Sequence, residues 1–263
     1  MASFQPVRSV LRTLELLTLL NRRRESSLLD LHHETGLPKP TLIRLLETLL
    51  SAGYVMQISD RGKYRVTNLV RHLSVGYYGV PLIAEASRAT ATELTRRVKW
   101  PISVSVLDYD AMNVVFTTVS QSPISPTQHR PMSRLRILTR AHGRAFFAFS
   151  SKEQQRLVLS ILKRSTHPED KVARSNRDVA HIVSEIRRAG YAYRDPRVQP
   201  THSNTLAIPL RSRGETVGSI GVTYFSSAMR TVDEAAQLYI PDLRRAARSI
   251  ERNIEALSRV RDG

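Results

Sequence analysis

Apolar residues recur at helical spacing in three segments near the start of the chain. The first helix is predicted over residues 7–20 from the stripe Val7, Val10, Leu11, Leu14 and Leu17. A short second helix is predicted over residues 27–35, with Gly36 just past its end as a left-handed cap. The third helix follows almost at once and carries the stripe Leu42, Leu45, Leu46 and Leu49. Two helices joined by a tight turn after a supporting helix predict a helix-turn-helix motif.

The third helix begins with a rigid and basic segment. Pro38 and Pro40 fix the backbone where a missing N–H costs little. In a helix-turn-helix this first turn points at base edges, so it must begin at a defined angle. Lys39, Thr41 and Arg44 then offer donors to phosphates and bases. We therefore expect Lys39, Pro40, Thr41 and Arg44 to contact DNA.

After the third helix the pattern changes to two short strand-like segments, residues 54–58 and 63–67, around the turn sequence SDRG. This hairpin is the wing that often follows a helix-turn-helix. It would bring Arg61, Lys63 and Arg65 close to the DNA backbone or minor groove. We expect a DNA-binding domain over residues 1–68, a helical linker over 69–80 and a second domain over 81–263.

The second domain mixes helical and strand periodicity. Helices are predicted over residues 81–99, 139–149, 152–162 and 176–189, and a last one after the capping pair Thr231 and Glu234. Strands are predicted over residues 102–106, 112–119, 206–210 and 217–225, in two hairpins. Strands flanked by segregated helices predict an α+β fold.

The net charge of the chain indicates which class of partner it attracts. The 263 residues include 40 Lys and Arg against 23 Asp and Glu, a formal net charge of +17. Such an excess favours polyanions or anionic ligands, but does not choose among DNA, RNA, a membrane surface and simple solubility. Cysteine is absent, which excludes disulfides, thiolate nucleophiles and the usual zinc clusters. We expect no metal and no other cofactor.

Targeting signals are not recognisable in the sequence. The apolar run from Leu14 to Leu20 is interrupted by Glu15 and Thr18, unlike the core of a signal peptide. No apolar run approaches the roughly 20 residues that span a bilayer. We therefore expect a cytoplasmic protein that does not interact with membranes.

One stretch of the second domain is rich in arginine but lacks acidic residues. No Asp or Glu occurs between Ala111 and Lys152, whereas five arginines are present: Arg130, Arg134, Arg136, Arg140 and Arg144. An uncompensated guanidinium cluster beside a helix start suits a carboxylate, because arginine binds this group with two parallel hydrogen bonds. A solvated basic loop or a subunit contact explains the stretch equally well.

Three segments together resemble the IclR-type transcriptional regulators. LLDLHHETGLPKPTLIRLLETLLSAGYV, the wing and TNLVRHLSVG are similar to the winged helix-turn-helix of that family. TRAHGRAFFAFSSKEQ and GYAYRDPRVQPTHSNTLAIPLRSRGETVGSIGVTYFSSAM resemble a helix start and the late strands of its effector domain. The resemblance implies a winged helix-turn-helix joined by a helical linker to a GAF/profilin-like effector-binding domain.

The same resemblance implies a ligand-responsive regulator, a homodimer or homotetramer, that binds double-stranded operator DNA and a small organic acid. VTYFSSAM further resembles activators of aromatic-acid catabolism, of the 3-(hydroxyphenyl)propionate type. This implies a catabolic operon, an aromatic effector and RNA polymerase as a partner. The effector-pocket positions that the resemblance implies are Ile124, Leu135, Ala141, His142, Asp195, Ser203, Thr205, Gly221 and Thr223.

Two other functions compete with this interpretation. Asp195, His202 and Ser203 supply the residue types of a hydrolytic triad, but adjacent side chains on a strand point to opposite faces. GxSxG, P-loop and HExxH motifs are absent, so we do not expect an enzyme. A nucleic-acid-binding protein without ligand response is the other alternative. The aromatic content of 6% speaks against base-stacking RNA-binding modules.

Overall fold

The computed structural model describes residues 6–58, 62–74, 80–126 and 134–262. The chain divides into two compact units, residues 1–78 and 79–263. Each unit has its own hydrophobic core. None of the helices in the described ranges is long and apolar enough to cross a membrane.

The N-terminal unit combines three helices with a small antiparallel sheet. The helices are α1 (Arg8–Arg22), α2 (Leu28–Thr35) and α3 (Lys39–Ser51). The strands are β1 (Ser26–Ser27), β2 (Val55–Ile58) and β3 (Lys63–Val66), in the sheet order β1-β3-β2. The predicted winged helix-turn-helix is confirmed.

The core of this unit consists of side chains from all three helices and the wing. Its buried members are Leu16, Leu20, Leu31, Leu42, Leu45, Leu46, Leu49 and Val55. The stripe predicted for α3 is therefore confirmed. The helix predicted over residues 7–20 is confirmed as α1, but four of the five apolar residues that predicted it, Val7, Val10, Leu11 and Leu14, are 53–58% exposed, and only Leu17 packs against the core. Helix α1 carries two apolar stripes, and periodicity alone does not tell which of them faces the core.

The segment after the wing differs from the predicted linker helix. Residues Asn68–Ser74 form a 3-10 helix, and the rest of the predicted linker, residues 75–79, lies outside the described residues. The Thr67 hydroxyl donates to the Gly53 carbonyl (2.6 Å) and accepts from the Leu69 N–H (3.2 Å). These bonds attach the start of the segment to the end of α3, and so favour a tight turn over a free α-helix.

The C-terminal unit is built on a six-stranded antiparallel sheet in the order β6-β5-β4-β9-β8-β7. Its strands are β4 (Ile102–Asp108), β5 (Ala111–Thr117), β6 (Arg134–Arg136), β7 (Ala192–Tyr193), β8 (Ser203–Ser212) and β9 (Glu215–Phe225). The hairpins β4-β5 and β8-β9 agree with the sequence predictions. The edge strands β6 and β7 were not predicted, because strands of two or three residues show no readable alternation.

Helices cover both faces of this sheet, which confirms the α+β fold. They are α4 (Val80–Val98), α5 (Ala141–Phe149), α6 (Lys152–Leu162), α7 (Asn176–Ala189) and α8 (Val232–Asp262). Helices α4 and α8 pack against one face, on large residues such as Leu206 and Ile220. Helices α5 and α7 pack with small residues of the other face, such as Ala192 and Ala207.

Strand alternation determines which residues of β8 and β9 face α5. Leu206 and Val222 belong to the core under α4 and α8, whereas Ala207, one position along, packs with α5. Because successive side chains of a strand point to opposite faces, Thr205 lies on the α5 side with Ala207. Thr223 is the cross-strand partner of Thr205 and shares its face.

Candidate DNA-binding surface and effector site

The turn between α2 and α3 is fixed by local hydrogen bonds. The Ser27 hydroxyl accepts from the Asp30 N–H (3.2 Å), and the Asp30 carboxylate accepts from the Ser27 N–H (2.8 Å), which caps α2. Gly36 ends α2 with φ 65°, a left-handed conformation that glycine adopts without strain. His32 Nδ1 donates to the Leu37 carbonyl at 2.7 Å, since a carbonyl can only accept. These bonds fix the direction of α3 relative to α2.

The first turns of α3 present an exposed basic surface. Lys39, Pro40 and Arg44 are exposed, and Thr41 is half-buried between them and the core. Within the described ranges, the Lys39 and Arg44 side chains have neither an ion pair nor a hydrogen bond. Ile43 is 39% exposed on the same surface and was missed by the sequence analysis. Its position in the sequence indicates this exposure, because Ile43 is an apolar residue of α3 that lies outside the leucine stripe.

The cationic side chains of the wing differ in their exposure and in their ion pairs. The Lys63 ammonium forms an ion pair with Glu25 and is therefore partly neutralised. Arg65 is exposed, and its Nε lies 3.2 Å from the Met56 sulfur. Arg61 lies outside the described residues. Among the predicted wing contacts, Arg65 thus carries the most accessible charge that the structure describes.

On the other unit, His142 at the start of α5 lies directly against Gly221 of β9. Its Nδ1 is 2.9 Å from the Ser219 hydroxyl, and a Cβ built on Gly221 would lie 2.9 Å from its Nε2. The ring is 3% exposed. Burial lowers the pKa of His142 to about 4, although the hydrogen bond to Ser219 opposes this shift. The imidazole is therefore neutral near pH 7, and Gly221 provides the space that it occupies.

Three hydroxyls follow along β8 and β9. Thr205 Oγ1 and Thr223 Oγ1 are 3.0 Å apart and hydrogen-bond to each other. Ser203 is fully buried, and its hydroxyl has no hydrogen-bond partner among the residues the structure describes. Ala141 is buried in the same cluster as Ala207. The structure thus brings His142 to Gly221 and Thr205 to Thr223, on one side of the sheet.

Asp195 is held near the start of α5 by its own loop. Its N–H donates to the Thr139 carbonyl at 2.9 Å, just before α5. Its carboxylate accepts from Arg197 Nε at 3.0 Å and from a second guanidinium nitrogen at 2.7 Å. These hydrogen bonds hold the pKa of Asp195 below its usual value, although burial opposes them. Asp195 is therefore ionised and already paired.

The two apolar positions expected to cover a ligand lie apart from the hydroxyls in the chain. Leu135 belongs to β6, opposite Met112 of β5, and is partly buried. Ile124 is 43% exposed. The segment between them includes residues 127–133, which lie outside the described residues. Their role as a cover stays a prediction.

The arginine cluster predicted to be uncompensated is paired with carboxylates. Arg134 forms ion pairs with Asp108 and Asp110. Arg136 binds Asp110 at 2.8 Å and Asp170 at 3.1 Å. Burial alone would raise the pKa of Asp110, but the hydrogen bonds from Arg136 and Arg134 more than offset this and lower it.

Arg140, which precedes α5, and Arg144, within α5, also have partners. Arg140 donates to Glu169 at 2.7 and 3.1 Å, and the pKa of Glu169 is lowered because the bonds from Arg140 and Thr139 outweigh burial. Arg144 donates to the Tyr193 carbonyl at 2.8 Å and lies 3.8 Å from Glu185. The prediction of an uncompensated cluster is therefore wrong for its four described members, and Arg130 lies outside the described residues. Their partners come from outside the acid-free stretch, because partly buried charges must be paired.

Two family models match the chain. The IclR helix-turn-helix domain matches residues 9–59. The C-terminal domain of the bacterial transcriptional regulator IclR matches residues 77–252, more than half of the chain. The chain belongs to the IclR family of transcriptional regulators. Its N-terminal unit is the DNA-binding module of an IclR regulator, and its C-terminal unit is the ligand-binding domain.

Characterised relatives of this IclR regulator are similar over nearly their whole length. KdgR of Escherichia coli is 26% identical over 249 residues, 93% of this chain and 91% of that protein. XynR of Escherichia coli is 27% identical over 233 residues, 87% of this chain and 89% of that protein. Both are HTH-type transcriptional regulators, so family membership gives no support to the hydrolase alternative.

Solved structures share the fold of this IclR regulator. An IclR-family regulator from Brucella abortus has a TM-score of 0.64 and 21% identity, covering 94% of this chain and 92% of that one. An IclR homologue from Microbacterium hydrocarbonoxydans, solved in complex with 4-hydroxybenzoate, has a TM-score of 0.67 and 19% identity, covering 94% and 99%.

Proposed function

We propose that this protein regulates a catabolic operon for a small organic acid, binding operator DNA through residues 1–68 and the acid through residues 81–263, with 69–80 as the linker. The observation that carries the DNA-binding part is the exposed, unpaired basic surface of α3, held at a defined angle by the α2–α3 turn. The contacting residues are Lys39, Pro40, Thr41 and Arg44, supported by the wing residues Arg61, Lys63 and Arg65.

Each part of this surface suits a different contact. Lys39 stands at the N-terminus of α3, where the helix dipole also attracts a phosphate. Arg44 lies one turn further and can donate two hydrogen bonds to a guanine. Ile43 can contact a thymine methyl group beside it. The phosphate contacts would thus fix the position of the protein on the DNA, and Arg44 and Ile43 would determine which base pairs it prefers.

The test is a gel shift of the protein on its own upstream DNA, at physiological salt and with competitor DNA. Arg44→Ala should weaken specific binding by about 1–3 kcal/mol, roughly 5- to 150-fold, and relax the preference at one base pair. Arg188→Ala is the matched control, since Arg188 is exposed on α7 of the other unit and its loss changes the net charge equally. Unchanged affinity and base preference in Arg44→Ala would show that α3 does not read the operator.

We further propose that the protein binds DNA as a homodimer, which can assemble into a homotetramer. One α3 contacts too few base pairs for useful specificity, so two half-sites are needed. The exposed stripe of α1 supports this, because Val7, Val10, Leu11 and Leu14 leave an apolar face unpartnered on the DNA-binding unit itself. A second copy of α1 is the occupant that would cover it.

For the effector we propose an aromatic monocarboxylic acid. Its pocket would use Ile124, Leu135, Ala141, His142, Asp195, Ser203, Thr205, Gly221 and Thr223. The 4-hydroxybenzoate complex of a protein with the same fold supports this class, as does the resemblance of VTYFSSAM to activators of aromatic-acid catabolism. An activator would also contact RNA polymerase.

The effector part is tested by adding benzoate, 3-phenylpropionate or pyruvate to the gel shift. An acid that changes the amount or mobility of the specific complex supports a ligand-responsive regulator and names the effector class. Specific binding that no acid alters would favour a DNA-binding protein without ligand response. Activation would be distinguished from repression by transcription in vitro with RNA polymerase.

A further inference from the structure

Three buried side chains on one face of the C-terminal sheet form a chain of hydrogen bonds. The hydroxyls of Ser105 on β4 and Ser219 on β9 are 2.9 Å apart, and Ser219 Oγ is 2.9 Å from His142 Nδ1. Both serines are fully buried, and the imidazole is 3% exposed. Within the described ranges, neither hydroxyl has another hydrogen-bond partner. The protons of both hydroxyls must therefore be used within these two bonds.

The direction of the two bonds follows from the number of protons. The ring is neutral near pH 7 and carries one N–H, because burial lowers the pKa of His142 to about 4. If Nδ1 carried that proton it would donate to Ser219, and one of the two hydroxyl protons would lack an acceptor, which is costly in a buried place. Both hydroxyl protons are used only if Ser105 donates to Ser219 and Ser219 donates to Nδ1. The ring proton is then on Nε2.

Nε2 is the end of the His142 ring that is still available. It lies against Gly221 of β9 and has no hydrogen-bond partner in the described part of the chain. Unlike the Ser203 hydroxyl, it is not fully enclosed by protein atoms, so water or a ligand can reach it. The next residue of β9 on this face is Thr223, whose hydroxyl pairs with that of Thr205. The free N–H therefore lies on the same face of the sheet as this pair of hydroxyls.

We propose that His142 recognises the effector by donating its Nε2–H to an oxygen of the ligand, and that the Ser219 hydroxyl fixes the ring in this form. The inference rests on the proposed function and narrows it: the ligand must present a hydrogen-bond acceptor at this point, as a carboxylate does. A ligand that presents only donors, such as a primary ammonium group, is rejected because it would face the Nε2 proton.

Ser219 is a positioning residue, since it acts on the ligand through the imidazole ring. Neither Ser219 nor Ser105 is among the pocket positions that the family resemblance implies. The role of Ser219 makes a spectroscopic prediction, because the protonation of each ring nitrogen can be measured directly.

The first measurement is a nitrogen NMR spectrum of the histidine side chains, recorded at pH 7 on the full chain with isotopically labelled histidine. His142→Gln identifies the signals of His142, because they disappear in this variant. The unsubstituted protein should show a protonated Nε2 and an unprotonated Nδ1 at this residue. At least one of benzoate, 3-phenylpropionate and pyruvate should move the Nε2 signal, whereas benzylamine should leave it in place.

Two substitutions then separate positioning from structural support. Ser219→Ala removes the hydroxyl that donates to Nδ1, so it should shift the Nδ1 signal and weaken binding of the responding acid about fivefold. Ser87→Ala is the matched control, because it removes an equally buried hydroxyl, whose bond to the Ile83 carbonyl (2.6 Å) lies within α4. The control should change neither the signals of His142 nor the affinity for the acid.

Four results would overturn the inference: a proton on Nδ1 instead of Nε2 in the unsubstituted protein, no movement of the Nε2 signal with any of the acids, an equal movement with benzylamine, or unchanged acid binding in Ser219→Ala. The operator gel shift on the same preparations separates this outcome from failure of the proposed function. Specific operator binding together with any of the four results refutes only the roles of His142 and Ser219. Absence of specific operator binding by the unsubstituted protein refutes the proposed function itself.

Discussion

Mild acid should destabilise the C-terminal unit through His142. The ring is 3% exposed and its pKa in the folded protein is about 4, against 6.5 for an exposed histidine. Because the folded-state value is the lower one, the unfolded chain binds a proton more readily between these two pH values. The stability contributed by the neutral ring is therefore complete above pH 6.5 and is lost as the pH falls towards 4.

The size of the loss follows from the two pKa values. At pH 4.5 the solution is about two pH units below the pKa of histidine in the unfolded chain, so the unfolded side chain is almost fully protonated. The side chain in the folded protein is still mostly neutral at this pH. Since each unit corresponds to about 1.4 kcal/mol, the free energy of unfolding should fall by about 2.5 kcal/mol between pH 7 and pH 4.5. This is a large fraction of the stability of an ordinary domain.

Urea unfolding at pH 7 and pH 4.5 measures this loss, with His142→Gln as the reference. Glutamine can keep a hydrogen bond to Ser219 but cannot be protonated in this range. Carboxylates with lowered pKa, such as Asp195 and Glu169, contribute stability that is lost as the pH falls through their folded-state pKa values. Their contribution is the same in both proteins and cancels in the difference. If the two proteins lose equal stability on acidification, the ring is not held neutral by burial and the reasoning is wrong.

Two further substitutions test the packing of each unit. Gly221→Ala places a Cβ 2.8 Å from the Leu206 carbonyl oxygen and 2.9 Å from His142 Nε2, so it should cost about 1–3 kcal/mol in urea unfolding. Unchanged stability would mean that α5 can move away from β9 at little cost. Leu14→Glu, in the exposed stripe of α1, should shift the protein from dimer towards monomer in sedimentation velocity, whereas Leu157→Glu on α6, which is 61% exposed, should not. Identical sedimentation of the two variants would exclude α1 as the subunit contact.

The parts of the fold that could be predicted from sequence are those whose signal is local. Helices α6 and α7 were predicted at their observed bounds, Lys152–Leu162 and Asn176–Ala189, because each carries its apolar period and its start signal within one segment. The capped turn before α3 was predictable for the same reason. The orientation of α1 was not, since the choice between its two apolar stripes depends on residues distant in the chain.

The arginines show why the effector site was harder to predict than the fold. Charge counting along the sequence suggested that Arg134, Arg136 and Arg140 lack partners, yet the fold supplies Asp110, Asp170 and Glu169 from positions 24 to 34 residues away.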